Sequence, residues 1–264
     1  MAVGLIVNPT AGRGSGRDNH QVIVSEFEKL GIEVLDLTSR SSAEAEAKAR
    51  VAIANQKIDA LVVAGGDGMV HLGVNLVTEA QIPLGVIACG TGNDSARALG
   101  LPINDVQWAA QIAADHLAMP RQVDVGLVEN DKGRFYFFGS ISAGFDALVN
   151  ARANKWKYPK GPSRYRLAMF RELAAFKKLR YKMIVDGEYH ELDAMLCAVT
   201  NVDCYGGGMK VTPYRMPEDW LEEAEARLIV AVDDMKRFNL DRYLNQAPMD
   251  LEKPRYATFN LEEV

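Results

Sequence analysis

The sequence predicts an α/β protein, with an open α/β domain followed by a β-rich, sandwich-like one. Three observations predict it. Strand-like and helix-like segments alternate through the first half of the chain, which implies parallel pairing with helical crossovers. Glycine-rich loops at 8–16, 65–68 and 90–92 follow apolar strands, and parallel sheets bind ligands beyond the carboxyl ends of their strands. After Asp124 the pattern shifts to that of antiparallel strands. The boundary falls at 123/124, giving domains 1–123 and 124–264, the second short at its C-terminal end. A chain of 264 residues is long enough for two such cores.

The elements follow in order. VGLIV (3–7) is apolar throughout and ends at Asn8-Pro9, which reads as a strand buried on both faces. A helix around HQVIVSEFEKLG follows, with Gly31 as its C-cap. IEVLDL is a second strand. SAEAEAKARVAIANQK is rich in helix formers, with Ser41 or Ser42 placed to cap it. IDALVVAGG and IPLGVIACG are the third and fourth strands, with a helix between them. Beyond the boundary, RFYFFGSISAGFDALV, LRYKMIVDGEYHELDAMLCAVTN and ARLIVAVDD read as antiparallel strands, with a hairpin turn at Asp186-Gly187. One amphipathic helix interrupts them, its Leu167, Phe170, Leu173 and Phe176 at near-helical spacing.

Composition narrows the class. The chain is 48% hydrophobic and 25% charged, as in an ordinary globular protein. Its apolar runs are strand-sized, so no transmembrane helix is expected. The start, MAVGLIVNP, lacks the pattern of a signal peptide. Cys89, Cys197 and Cys204 are widely spaced and odd in number, which predicts reduced thiols in a cytoplasm and neither a disulfide framework nor a zinc site. The net charge of −5 hides an asymmetry: residues 152–182 hold eleven lysines and arginines against Glu172 alone. Such a stretch faces something anionic. No nucleic-acid-binding module is recognisable, so nucleic acid is not an expected partner.

Three loops bear on chemistry. NPTAGRGSGR (8–17) leaves a strand and enters a helix, where backbone N–H groups and the helix N-terminus favour an anion. It is not a Walker A sequence, because no GK[ST] follows. In VVAGGDGMVH (62–71), Gly65, Gly66 and Gly68 permit close approach to a phosphate, which Asp67 would repel unless a divalent cation stood between them. ACGTGNDSAR (88–97) repeats the arrangement with Gly90, Gly92, Asn93 and Asp94. A flexible glycine turn at 8–17, a turn-forming Asp67 and a helix-capping Asp94 are the plain alternatives.

NPTAGRG, GGDGMVHLGVN, GTGNDSARALG, VDVG (123–126), SAGFDA (142–147) and YGGGMKVTP (205–213) occur here in the order found in one family. The chain resembles the diacylglycerol kinase catalytic-domain family: bacterial diacylglycerol and YegS-like lipid kinases, related to sphingosine and ceramide kinases. The resemblance runs from residue 3 to about 213 and implies an α/β nucleotide-binding domain followed by a β-sandwich. It further implies an ATP- and Mg²⁺-dependent kinase transferring the γ-phosphoryl group to the hydroxyl of diacylglycerol or a similar lipid alcohol. Asn8, Pro9, Thr10, Ala11, Gly12, Thr38, Gly65, Gly66, Asp67, Gly68, Thr91 and Asn93 would border the nucleotide. Asp67, Asp94 and Asp124 would organise Mg²⁺ and water. The implied setting is cytoplasmic, peripheral at the inner membrane surface, and a homodimer is compatible with it.

The chain departs from the family pattern at several positions. Met69 stands where many relatives have Thr, Ala11 replaces Ser, and Leu72 and Leu76 replace Glu and Gly. In place of the family's DGxLxV segment, whose Asp is the general base, the chain reads MPEDWLEEAEARLIVAV. Asp219 and Glu225 are the alternative base candidates, and solvated helix charges are the plain reading of Glu222, Glu223 and Glu225. A soluble NAD kinase-like enzyme and a nucleotide-binding protein without kinase activity are the competing functions. In the basic segment Trp156, Tyr158, Tyr165, Phe170 and Tyr181 interleave with the cations, which suits an anionic bilayer surface. A solvated helix with its aromatic residues in the core is the alternative.

Overall fold

The structure, a computed structural model, describes residues 1–11, 16–130, 133–156, 158, 162–175, 179–185, 188–202, 204–210, 227–231 and 257–260. In chain order its elements begin with β1 (Ala2–Val7), α1 (Gly16–Lys29), β2 (Glu33–Asp36), α2 (Ser42–Ala54), β3 (Ala60–Gly65), α3 (Asp67–Val77) and β4 (Leu84–Ala88). Then come α4 (Asp94–Ala98), α5 (Val106–His116), β5 (Gly126–Asn130), β6 (Gly133–Phe137), β7 (Ser140–Gly144), α6 (Phe145–Lys155) and α7 (Pro162–Ala174). The rest are strands: β8 (Leu179–Val185), β9 (Glu188–Ala194), β10 (Leu196–Thr200), β11 (Cys204–Tyr205), β12 (Met209–Lys210), β13 (Arg227–Ala231) and β14 (Ala257–Asn260). The chain divides into two compact units, Met1–Gly139 with Val202–Arg215 and Ser140–Asn201 with Met216–Val264.

The first unit is built on a four-stranded parallel sheet in the order β2-β1-β3-β4, with Leu5 opposite Val62 and Ala64 opposite Ile87. Its apolar strands are buried on both faces because helices cover both. On one face Val3, Leu5, Val62 and Ile87 pack with Ile23 and Phe27 of α1 and with the alanines of α5. On the other, Ile6, Leu61, Val63 and Val86 pack with Ala45, Ala49 and Ala52 of α2 and with the apolar side of α3. Leu72 and Leu76 belong to that second layer, so their departure from the family pattern serves packing. Ser41 is the N-cap of α2, its hydroxyl accepting from Glu44 N–H, and Gly31 past the end of α1 has φ +69°.

The strand order has a consequence for ligands. From β1 the chain moves to β2 on one side, then crosses to β3 on the other. The sheet therefore reverses its winding between β1 and β3, and a crevice forms outside the carboxyl ends of those two strands. The hairpin β5–β6 is tied to α3 by Asn75, whose amide donates to Tyr136 O and accepts from Tyr136 N–H, both at 2.7 Å.

The second unit contains two three-stranded sheets, β13-β10-β7 and β14-β8-β9, antiparallel throughout. Val185 pairs with Glu188 across the expected hairpin, whose Asp186 and Gly187 lie outside the described residues. Two readings are corrected here. FDALV continues no strand; it opens α6. Gly144, at φ +97°, turns the chain, Phe145 N–H is taken up by Met195 O, and the three alanines that follow, with Arg152 and Lys155, favour helix. There are thus two helices where one was expected, clamped by Arg152 of α6 on Glu172 of α7. Glu172, the lone acid of the basic segment, is buried in that contact.

Candidate active site

The three glycine loops start at the carboxyl ends of β1, β3 and β4. Asn8 N–H donates to Ala64 O at 2.9 Å, continuing the β1–β3 ladder one residue past the strand. The Asn8 amide oxygen then accepts from both the N–H and the hydroxyl of Thr10, at 3.0 and 2.9 Å, shaping the start of the loop. Pro9 and Thr10 are exposed there, while Ala11 is buried in the core beneath. Gly12 lies outside the described residues. Thr38, just after β2, accepts from Val7 N–H at 3.0 Å, and its own N–H donates to Asp36. A pocket of about 290 Å³ opens at these strand ends, lined by Val7, Pro9, His20, Asp36 and Thr38 among others. His20 Nε2 stands 3.1 Å from an Asp36 carboxylate oxygen at its wall.

The second and third loops approach each other backbone to backbone. A Cβ on Gly90 would collide with the backbone of Gly66, and one on Gly65 would run into Met69. Glycine is required at 90 because the loops approach closer than any side chain permits. Met69 folds its side chain against Gly65 and the core, so at this position packing takes the place of a hydroxyl. Gly66 is the N-cap of α3 without any side-chain cap, and no atom lies within 4 Å of where a Gly68 Cβ would stand. Met69 and Val70 N–H both donate to Gly66 O, and no side chain caps the N–H groups ahead of them, as an anion site at a helix start needs.

Asp67 is more than a turn former. Its Oδ1 accepts from Ser95 N–H at 2.9 Å, across 28 residues of sequence, and so joins the two loops. Asp94 is not the helix cap. Asn93 holds that position at φ +58°, buried, its amide bonded to both the N–H and the carbonyl of Gly90. The Asn93 side chain thus organises the loop from within, while Thr91 is exposed at its tip. Asp94 Oδ1 accepts from Arg97 at 3.0 Å and Oδ2 from Gly207 N–H at 2.8 Å. Arg97 and Gly207 were not singled out by sequence reasoning. A salt-bridge spacing from 94 to 97 was a local signal for the first; nothing local announced a partner 113 residues away.

The two carboxylates converge beside Gly92. A Cβ on Gly92 would stand 2.8 Å from Asp67 Oδ2 and 3.8 Å from Asp94 Oδ2. Two carboxylates are a donor set compatible with Mg²⁺, which binds through one or two carboxylates and keeps its remaining positions for water and phosphate. Among the described residues no three His, Cys, Asp or Glu side chains gather as a closed metal cage. Asp124 lies two residues before β5, half-buried. Cys89, at the end of β4, has its thiol pushed up by burial, against a smaller opposing effect of Asn19, which keeps it protonated and inert beside the loops. Asp219 and Glu225 lie outside the described residues.

Comparison with known proteins shows the family. Residues 2–128 match the model of the diacylglycerol kinase catalytic domain. Residues 139–248 match that of the YegS C-terminal NAD kinase beta sandwich-like domain. A protein named diacylglycerol kinase from Mycobacterium tuberculosis is 34% identical over 210 residues, covering 79% of this chain and 67% of that protein. The chain belongs to the diacylglycerol kinase catalytic-domain family. Another relative of that name, from Bacillus subtilis, is 29% identical over 94% of this chain and 78% of its own length. A crystal structure described as a diacylglycerol kinase from Bacillus anthracis shares the fold, with a TM-score of 0.69 at 24% identity over 99% of this chain and 86% of that one. At family level the chain is a kinase, and a kinase implies ATP as phosphoryl donor. The fold class read from sequence stands: an α/β nucleotide-binding domain, then a β-sandwich-like one.

Proposed function

We propose that this kinase transfers the γ-phosphoryl group of ATP, with Mg²⁺, to the hydroxyl of diacylglycerol or a similar lipid alcohol. One observation carries the reading: two carboxylates, Asp67 and Asp94, converge beside Gly92 in the glycine loops that follow β3 and β4. Carboxylates repel phosphate, so their place in a phosphate cradle makes sense with a cation between. The pocket beside Thr38 and Asp36 suits the nucleoside half of the donor. The N–H groups opening α3 would face the phosphates. Asp67 and Asp94 would hold Mg²⁺, with Asp124 joining through water; bound there, the metal supplies neutralisation of phosphate charge. Asp219 or Glu225 would accept the proton of the acceptor hydroxyl.

The acceptor side draws support from α7. Leu167, Phe170 and Leu173 share a face and are 51, 63 and 51% exposed, with Arg166 and Arg171 exposed among them. Tyr158 and Tyr165 are also exposed, whereas Tyr181 is buried, so the basic segment does not place its aromatic residues uniformly in the core. An apolar stripe bordered by cations suits an anionic lipid surface. Among the described residues no helix is long and apolar enough to cross a membrane. Charge-neutral substitutions at Arg164, Arg166, Lys177 and Lys178 should weaken binding to anionic vesicles, and unchanged binding would remove the surface reading.

Incubation with labelled ATP, Mg²⁺ and diacylglycerol micelles should yield labelled phosphatidic acid. No labelled lipid would refute the activity, and phosphorylation of NAD in a parallel reaction would place the chain with soluble nucleotide kinases. Asp219→Asn and Glu225→Gln, assayed separately, identify the base by which one abolishes turnover while leaving ATP binding intact.

A further inference from the structure

The turn between β11 and β12 consists of Gly206, Gly207 and Gly208, with φ of +69°, +91° and +93°. Three successive residues in the left-handed half of backbone space demand glycine. Space is not the reason at Gly207, since nothing lies within 4 Å of where its Cβ would stand. Conformation is the reason, and it aims the Gly207 N–H at Asp94 Oδ2. Arg97 completes the grip. It donates to Asp94 Oδ1 and to Gly92 O, and a Cβ on Gly208 would touch its Nε at 3.4 Å. As a stabilising ion pair Arg97–Asp94 is worth little, because the guanidinium is more than a third exposed and the pair is local. As a means of fixing a carboxylate it is complete: both oxygens are held, one by a partner three residues away and one by a partner 113 residues away.

We propose that Arg97 and the 206–208 turn are positioning elements that hold the Asp94 carboxylate beside Gly92 and Asp67, so that it is preset for a divalent cation. This rests on the kinase reading of the same site and adds residues to it. A carboxylate held by outer partners keeps its orientation when the metal arrives; loss of such a partner typically costs about tenfold or more in metal affinity.

The test is Mn²⁺ affinity, read by water-proton relaxation with a non-hydrolysable ATP analogue present, alongside thermal unfolding. Arg97→Met and Gly207→Ala should each weaken Mn²⁺ binding by about tenfold, with Arg97→Lys in between. Gly31→Ala is the matched control, because Gly31 also has positive φ and open space but lies at the end of α1, outside the loops described above. It should lower the melting temperature as Gly207→Ala does while leaving Mn²⁺ affinity unchanged. Unchanged affinity in Arg97→Met and Gly207→Ala, or an equal loss in Gly31→Ala, would overturn the proposal. If the wild-type protein binds no Mn²⁺ with nucleotide, the metal reading falls and the proposal with it. If Mn²⁺ binding behaves as expected but no lipid is phosphorylated, the lipid-kinase reading fails and the clamp stands.

Discussion

β3 of the first unit is buried at all six of its positions, whereas β9 of the second runs exposed or half-buried along six of its seven. Helices cover both faces of the parallel sheet, so its strands can be apolar throughout, while an antiparallel strand with a wet face must alternate. The fully buried large side chains follow the same division. Phe27, Leu5, Ile23, Leu61 and Ile87 belong to the first unit, and Met183 to the second, where it packs with Tyr181, Ala194 and Cys197. The lesson concerns function. Close backbone approach between loops, as at Gly66 and Gly90, demands strands that do not shift, and the glycine loops grow from the strands buried on both sides.

Four experiments would break or sharpen this contrast. The largest effect is expected at Asp67→Asn. The amide keeps an oxygen for Ser95 N–H but removes the charge, so phosphoryl transfer should fall on the order of 100-fold or more while the melting temperature stays close to wild type. An equal loss of stability would make Asp67 a structural tie only. Next, Phe27→Ala should destabilise the first unit by about 3–5 kcal/mol, measured by denaturant titration. Met183→Ala, in the smaller cluster, should cost nearer the lower end of about 2–5 kcal/mol. If Met183→Ala proved the costlier, the difference between the cores would be overstated.

A smaller effect belongs to Glu26, buried between α1 and α5. Hydrogen bonds from Lys29 and Gln111, with lesser help from Gln107 and the Lys29 charge, outweigh burial and hold its carboxyl below the usual 4.5. A depressed folded-state value means that its stabilising contribution is fully present above pH about 4.5 and is lost as pH falls through the lowered value. Glu26→Gln should therefore flatten the acid side of a melting-temperature profile and leave its neutral side parallel to wild type. A profile unchanged below that pH would discount the interaction. The smallest readout is chemical. Burial pushes the Cys197 thiol up to about 11, so a thiol reagent at pH 8 should label it only on unfolding. Rapid labelling of the native protein would show that the second unit opens more readily than its buried cluster suggests.

Much of the first unit was legible because its signals are local. An apolar run ended by glycine marks a doubly buried strand wherever it occurs, and Ser41 caps α2 through a partner three residues on. The second unit was harder. FDALV carries apolar residues that suit a strand, and the turn at Gly144 with the Met195 contact sets it at the start of a helix. The spacing of Leu167, Phe170 and Leu173 announced an amphipathic helix but not whether its apolar face was covered.

By itself the sequence determined the alternation of strands and helices, the loops with glycine and carboxylate together, and the ordered motifs that carry the family. Each depends on neighbours within a few residues or on their order along the chain. Tertiary structure decided what those carboxylates touch. Asp67 reaches Ser95 across 28 residues and Asp94 reaches Gly207 across 113, and no periodicity encodes contacts at such separations. They exist because the strand order brings the ends of β3 and β4 side by side and the glycine turn at 206–208 presents one N–H to Asp94.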